Sequence, residues 1–201
     1  MSDTQSAPPR GVTAVARATP DHPAVILGDT VRTYAELQDR AARLATVLAD
    51  LGAGPGRPVA TVLPNGVEFL EVAVAASMLD APFLPVNRHL RAQELAYIFD
   101  DAGLAVVVGR SGADAELDGA LELHPAASIR VGGDYEERLA AAEPLAGADS
   151  GSGPELMFYT SGTTARPKGV VHGDLSAKAS RAMAMEGQAA LWGGRPTTST
   201  W

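Results

Sequence analysis

The sequence predicts a layered α/β fold in which helices pack on a mostly parallel sheet. Segments typical of strands and of helices alternate between residues 59 and 108, as they do when crossover connections join parallel strands. The continuous apolar run 104–108 is typical of a strand buried on both faces of such a sheet. A hydrophobic fraction of 46% with 20% charged residues is that of a globular domain with a true core.

The N-terminal part is predicted to hold a lead-in, a hairpin and a helix. Residues 1–20 are polar and rich in Pro and Ala, which favours a flexible lead-in. Residues 24–27 and 31–33 form the strands of a short hairpin. Thr33 and Glu36 have the spacing of a capping box, which starts a helix that stops at Gly52. This helix is indicated by apolar residues at helical spacing: Leu37, Ala41, Leu44, Leu48 and Leu51.

The middle of the chain is predicted to alternate strands and helices. Residues 59–63 form a strand, residues 67–79 an alanine-rich helix, and residues 83–86 the next strand. A further helix ends at Gly103, and the buried strand 104–108 follows it.

The pattern weakens after this strand. We assign no element between residues 110 and 124, because Gly, Asp and Ala interrupt the periodicity. Residues 128–131 favour a strand and residues 134–142 a short helix. Pro and Gly indicate that residues 143–154 are a mobile connection.

The loop over residues 159–169 is the most informative stretch for function. It reads YTSGTTARPKG and directly follows an apolar run at residues 156–158, which predicts a strand leading into it. Gly162 permits a left-handed backbone that turns N–H groups inward, and Pro167 restricts the backbone ahead of the lysine. Hydroxyls, exposed N–H groups and a lysine suit a polyphosphate. The side-chain donors are Thr160, Ser161, Thr163, Thr164 and Lys168.

This loop is open to three interpretations. The phosphate loop Gly-x4-Gly-Lys-Ser/Thr does not fit, because no second glycine precedes Lys168, and this argues against a kinase or GTPase of that type. A solvated surface loop is the alternative for any Ser/Thr/Gly/Pro stretch. The stretch resembles the signature YTSGTTGxPKG of the adenylate-forming superfamily, with Ala165 where that family has glycine. Other stretches resemble the same family in the same order: residues 23–25 with 33–37, 63–69, and 85–87 with 94–98.

The resemblance implies an acid–thiol ligase of the acyl-CoA synthetase type. In that reaction a carboxylic acid, here expected to be a fatty acid, is activated by ATP to an acyl-adenylate and passed to coenzyme A. The implied cofactors are ATP, Mg²⁺ and coenzyme A. The implied nucleotide-binding residues are Thr160, Ser161, Gly162, Thr163, Thr164, Ala165 and Lys168, and Lys168 is the implied catalytic residue because its charge would stabilise departing pyrophosphate. Should residue 165 need a positive φ, an alanine there costs about 1–2 kcal/mol.

The resemblance also implies that this chain is an N-terminal part of such an enzyme. The family uses a later Thr-Glu motif and a second catalytic lysine, whereas no Thr-Glu pair occurs here and the lysines are Lys168 and Lys178 alone. We therefore expect a partial AMP-binding domain over residues 21–192, ending in a helix from about 175 to 192, and an irregular, truncated tail at 193–201. The isolated chain is expected to be inactive. The alternatives are a non-catalytic nucleotide-binding remnant and one half of a split enzyme that needs a complementary polypeptide.

Composition argues against several other classes of protein. A net charge of −8 without a basic run argues against a nucleic-acid partner. The chain has no cysteine, so it forms no disulfide. The most apolar stretch, residues 67–86, contains three acidic residues and two prolines, which argues against integral membrane association. We expect a cytoplasmic protein.

Histidines and acidic pairs are weaker candidates for chemistry. His22, His89, His124 and His172 lack ligand spacing, so no protein metal site is expected, although His172 lies close enough to the loop to approach a substrate. The pairs Asp100–Asp101 and Glu136–Glu137 lie on predicted helices, where a solvated face is the usual role.

Overall fold

A computed structural model describes residues 11–112, 114–151, 153–160 and 168–171 of the chain. The helices of this part are α1 (Gly11–Ala18), α2 (Tyr34–Asp50), α3 (Val67–Met78), α4 (Ala92–Ala102), α5 (Ala115–Leu123) and α6 (Tyr135–Ala141). Its strands are β1 (Pro23–Leu27), β2 (Thr30–Thr33), β3 (Val59–Val62), β4 (Phe83–Pro85), β5 (Val106–Arg110), β6 (Ala127–Val131), β7 (Met157–Thr160) and β8 (Lys168–Val171).

A parallel sheet forms the centre of the fold, in the order β4-β3-β5-β6. The register places Val59 of β3 between Phe83 of β4 and Val106 of β5, and Val106 pairs in turn with Ala127 of β6. After β4 the chain crosses back over β3, so the strand order reverses direction between β3 and β5. The predicted α/β fold is confirmed, including its parallel strands.

Apolar cores lie on both faces of this sheet. One core joins α2, α3 and α6 to the sheet, and the other joins α4 and α5 to it. Side chains alternate between the cores along each strand, so Val106 and Val108 pack in the first and Val107 in the second. This double burial explains the unbroken valine run, and the strand it forms is displaced by two residues from the predicted 104–108.

Helix α2 begins as its sequence predicts. The Thr33 hydroxyl accepts a hydrogen bond from the Glu36 N–H at 3.2 Å, and a Glu36 carboxylate oxygen accepts from the Thr33 N–H at 2.8 Å. Both bonds of the capping box satisfy N–H groups that have no partner within the helix. The β1–β2 hairpin in front of this helix is also confirmed.

A buried polar network joins the three helices of the first core. The fully buried carboxylate of Glu71 on α3 accepts from Arg40 Nε on α2 at 2.6 Å and from the Tyr135 hydroxyl on α6 at 2.6 Å. Arg40 also donates to Glu136 at 2.7 and 3.0 Å. Burial, and then the neighbouring Glu71, raise the pKa of Tyr135 well above its usual value. Each buried group thus has a partner, which such burial requires.

Two predictions about the ends of the domain are wrong. Residues 11–18 of the predicted lead-in form helix α1, and residues 1–10 lie outside the described part. Thr13 on α1 is buried, and its hydroxyl donates to Gln38 Oε1 on α2 at 2.9 Å. The predicted mobile connection at 143–154 is fastened to α1, because the Ser150 N–H donates to Thr13 Oγ1 at 2.9 Å and the Thr13 N–H donates to Ser150 Oγ at 3.1 Å.

Helix α5 occupies part of the stretch to which no element was assigned. Its N-terminus is capped by Asp114, whose carboxylate accepts from the Leu117 N–H at 3.3 Å. Only a short apolar face, Leu117 and Ala120, is buried, and Gly119 lies within the helix. So short a face gives too little periodicity to recognise. The strand at 128–131 and the helix at 134–142 are confirmed as β6 and α6.

Within the described ranges, no helix is both long enough and apolar enough to cross a bilayer. The apolar residues 67–86 are divided between α3 and β4 instead. The predicted helix at 175–192 and the predicted tail at 193–201 lie outside the described residues.

Candidate nucleotide-binding site

The predicted phosphate loop is carried by an antiparallel hairpin of β7 and β8. The last pairs before the loop are Tyr159 with Gly169 and Thr160 with Lys168. The hairpin therefore brings the backbones of Thr160 and Lys168 together. The other predicted nucleotide-binding residues, Ser161, Gly162, Thr163, Thr164 and Ala165, lie outside the described residues, so their contacts stay a prediction.

This hairpin begins beside strand β4 of the parallel sheet. The Phe83 N–H donates to the Glu155 carbonyl at 2.7 Å, and Phe83 and Leu156 form a parallel bridge. Because β7 runs in the same direction as β4, its end at Thr160 points toward the carboxyl edge of the sheet. Ligands of open α/β sheets bind along this edge.

A cleft of about 380 Å³ lies beside the hairpin, between β4, α4 and β7. Its lining is mainly apolar and consists of Leu84, Pro85, Val86, Asn87, Leu90, Glu94, Ile98, Phe158 and Tyr159. Among the polar side chains, Glu94 accepts a hydrogen bond from the Arg91 N–H at 2.8 Å. The cleft thus offers an apolar wall next to the start of the loop.

A second cleft of about 380 Å³ lies at the carboxyl ends of β3 and β5, where the strand order reverses. Its lining includes the exposed side chains of Arg88 and Arg110. The third charged residue, Asp114, caps α5. Two arginines at this position can bind an anionic group. The sequence analysis missed this cleft, although each arginine follows a predicted strand by only two residues.

A larger cleft of about 430 Å³ lies between α1, α2 and the connection at 144–148. None of its lining residues belongs to β4, β7 or β8, so it is separate from the loop stem.

The acidic pairs lie on helices and their side chains are exposed, as predicted, but one member of each pair also binds a residue far away in the sequence. Asp101 on α4 accepts the Tyr159 hydroxyl at 2.7 Å. Glu136 on α6 binds Arg40, and this contact lowers the pKa of Glu136. Both partners lie far away in the sequence, so no local pattern predicts these contacts.

The described histidines are not gathered into one site. His22 Nδ1 lies 3.1 Å from the Pro23 carbonyl, and His124 Nδ1 lies 3.5 Å from an Asp100 carboxylate oxygen. His172 lies outside the described residues. Across the described ranges, no three His, Cys, Asp or Glu side chains are grouped as a metal ion would need. The absence of a protein metal site stays a prediction.

Comparison with known proteins identifies the class of protein that combines this fold and loop. The model of the AMP-binding enzyme family matches residues 12–198. The chain belongs to the AMP-binding enzyme family, as the resemblance of its loop predicts.

Two of the similar proteins are named as a CoA ligase and a CoA synthase. The chain is 37% identical over 150 residues to the long-chain-fatty-acid–CoA ligase FadD13 of Mycobacterium tuberculosis, which covers 72% of this chain and 30% of that protein. It is 37% identical over 168 residues to a feruloyl-CoA synthase of an Amycolatopsis species, covering 80% of this chain and 32% of that protein. The chain thus matches about a third of the length of these curated relatives.

A solved structure agrees with this assignment. The fatty acyl CoA synthetase of Mycobacterium tuberculosis superposes with a TM-score of 0.67 at 30% sequence identity, covering 80% of this chain and 33% of that chain. The fold is that of the N-terminal part of an adenylate-forming enzyme.

Proposed function

We propose that this chain supplies the ATP-phosphate loop of an AMP-forming acid–thiol ligase. The observation that carries the proposal is the β7–β8 hairpin, which joins the loop sequence to the carboxyl edge of the sheet. Membership of the AMP-binding enzyme family supports the use of ATP. The boundaries of the partial domain at 21–192 and a cytoplasmic location stay predictions.

The proposed chemistry has two steps. A carboxylate oxygen attacks the α-phosphorus of ATP, and the bond to pyrophosphate breaks, which leaves an acyl-adenylate. The sulfur of coenzyme A then attacks the acyl carbon, its proton is lost, and AMP leaves. Mg²⁺ would neutralise charge on the phosphates during the first step.

The residues of this chain act in the first step. Thr160 and Lys168 begin and end the loop side by side, so donors from both strands start at one place. The loop hydroxyls, its backbone N–H groups and the Lys168 ammonium would hold the β- and γ-phosphates. They would thereby orient the α-phosphorus and stabilise the pyrophosphate as it leaves.

We propose a fatty acid as the first acid to test, because a long-chain-fatty-acid–CoA ligase is among the relatives at 37% identity. A feruloyl-CoA synthase is equally similar, so an aromatic acid is the alternative outcome.

We also propose that the cleft holding Arg88 and Arg110 receives phosphate groups of coenzyme A. It is lined by neither β7 nor β8, so the phosphate loop would remain available to ATP. Two guanidinium groups would suit a ligand that carries several phosphates.

ATP–pyrophosphate exchange with a panel of fatty and aromatic acids tests the proposed function. Exchange by the isolated chain would support a complete catalyst. Exchange only after addition of a complementary polypeptide would support a split enzyme. ATP binding without exchange under either condition would favour the non-catalytic remnant, and a chain that neither binds ATP nor supports exchange would contradict the proposal.

A further inference from the structure

One hydrogen bond connects the phosphate hairpin to helix α4. Tyr159, which immediately precedes Thr160, donates its hydroxyl to Asp101 Oδ2 at 2.7 Å. Asp101 lies 58 residues earlier in the chain, on a helix of the second core. Burial, and then the hydrogen bond that it donates to Asp101, raise the pKa of Tyr159, so the phenol stays protonated and donates at neutral pH.

Gly169 allows the Tyr159 ring to lie where this bond can form. The two residues are paired across the hairpin, and a Cβ added to Gly169 would lie 3.0 Å from Tyr159 Cζ and 3.1 Å from its hydroxyl oxygen. Side-chain carbons do not normally approach so closely. The ring of Tyr159 therefore leaves little room for a side chain at residue 169, which favours glycine there.

The position of this contact connects it to the loop. Tyr159 and Gly169 form the pair next to Thr160 and Lys168, the last pair before the loop. At the opposite end, β7 is attached to β4 through Glu155 and Leu156. A hydrogen bond at Tyr159 therefore fastens the hairpin at the end that carries the phosphate-binding residues.

We propose that Tyr159 and Asp101 are positioning residues that fix the hairpin against α4 and so hold the ends of the phosphate loop in register. Gly169 is the third member of this arrangement, since it leaves room for the ring. The consequence for nucleotide binding rests on the proposed function, whereas the ordering of the hairpin does not.

A lysine-specific protease measures that ordering directly. The chain contains two lysines, so this protease cuts after Lys168, at the hairpin, and after Lys178. The ratio of the two initial rates, followed by mass spectrometry, reports opening of the hairpin relative to an internal reference. Tyr159→Phe keeps the ring and removes the hydroxyl, and we expect it to raise the ratio about tenfold, because cleavage follows the population of the open form.

Further variants separate positioning from general loss of stability. Asp101→Asn keeps an acceptor for the hydroxyl and should change the ratio less than about threefold, whereas Asp101→Ala should match Tyr159→Phe. The double variant Tyr159→Phe/Asp101→Ala should be no worse than either single one, because both remove one bond. Tyr135→Phe is the matched control, since it removes a tyrosine–carboxylate bond of 2.6 Å to Glu71 in the other core. It should lower the melting temperature and leave the ratio unchanged.

ATP titration calorimetry on the same variants tests the consequence for binding. Tyr159→Phe should weaken ATP binding about tenfold, and Tyr135→Phe should not. A cleavage ratio for Tyr159→Phe within twofold of wild type, or an equal rise for Tyr135→Phe, overturns the positioning role. If the cleavage ratio of Tyr159→Phe rises but its ATP affinity is unchanged, the proposed effect of the Tyr159–Asp101 bond on the phosphate loop is overturned. Absence of ATP binding by the wild-type chain contradicts the proposed function instead, and the cleavage ratio then decides the positioning role alone.

Discussion

The buried carboxylate of Glu71 provides a sharp test of how this fold is held together. Arg40 binds it at 2.6 and 3.2 Å and also binds Glu136, and the hydrogen bond that Arg40 donates to Glu136, opposed by burial, raises the pKa of Arg40. Arg40→Met keeps most of the methylene packing and removes the cation. The Glu71 carboxylate is then buried without that cation.

The burial of Glu71 sets the expected magnitude. Removing one partner of a buried ion pair costs about 3–5 kcal/mol, because the remaining charge is buried without compensation. The exposed Glu136 contributes little to the difference, since solvent-exposed ion pairs are worth about 0–1 kcal/mol. We therefore expect Arg40→Met to lower the free energy of unfolding by about 3–5 kcal/mol at pH 7.

Urea unfolding at pH 7 measures this cost, with Arg43→Met as the control. Arg43→Met loses an i,i+4 pair with Asp39 and a hydrogen bond to the Ala142 carbonyl at 2.7 Å, but the Asp39 carboxylate is exposed, whereas that of Glu71 is fully buried.

Glu71→Gln in the Arg40→Met background should recover much of the loss, because the amide oxygen can still accept from Tyr135 without a buried charge. A cost below about 1 kcal/mol, or an equal cost for Arg43→Met, would refute the reasoning.

Three other variants address the loop, the second core and the arginine cleft. Lys168→Ala should abolish the rise in melting temperature on adding ATP, measured by differential scanning fluorimetry, because it removes the charge proposed to hold the phosphates. Gly109→Ala should cost about 1–3 kcal/mol in urea unfolding, since the new Cβ would lie 2.2 Å from Leu117 Cδ2 of α5. Arg88→Ala with Arg110→Ala should weaken coenzyme A binding about tenfold or more by calorimetry, through loss of two charge-assisted contacts.

Each of these has its own control. Lys178→Ala tests whether removal of any lysine has the effect of Lys168→Ala, and an equal loss would contradict the specific role of Lys168. Leu117→Ala should relieve the crowding at residue 109, so an additive double variant would contradict that explanation. Loss of ATP binding together with coenzyme A binding in the arginine variant would contradict separate sites.

The parts of the fold that the sequence predicted have strong local signals. Helix α2 was predicted because its capping box and its apolar stripe agree, and the parallel strands because their valine runs are buried on both faces. Helix α1 was missed because its composition resembles a linker. It is fixed to the domain by Thr13 and Ser150, which lie 137 residues apart.

The candidate site, like the fold, could be predicted only where consecutive residues carry the signal. The loop and the strand that leads into it could be predicted from consecutive residues. Two other features depend on which strands are neighbours and on where each strand ends. They are the hydrogen bond from Tyr159 to Asp101 and the position of Arg88 and Arg110 in the lining of one cleft. No local pattern contains that information.

The two sides of the sheet differ in how their helices are held. Bonds to the fully buried Glu71 join α2, α3 and α6. Beneath α4 and α5 the buried cluster is apolar, and the bonds between these two helices, from Arg91 Nη1 and the Ala92 N–H to Glu116, lie nearer the surface. Apolar contacts tolerate small sliding movements, and α4 is the helix bonded to the hairpin. We therefore expect changes of side-chain volume beneath α4 to be expressed as altered nucleotide affinity, and equal changes on the opposite side as altered melting temperature. In directed evolution of substrate preference, the beneficial substitutions far from the site should then lie on the side of the sheet that carries α4.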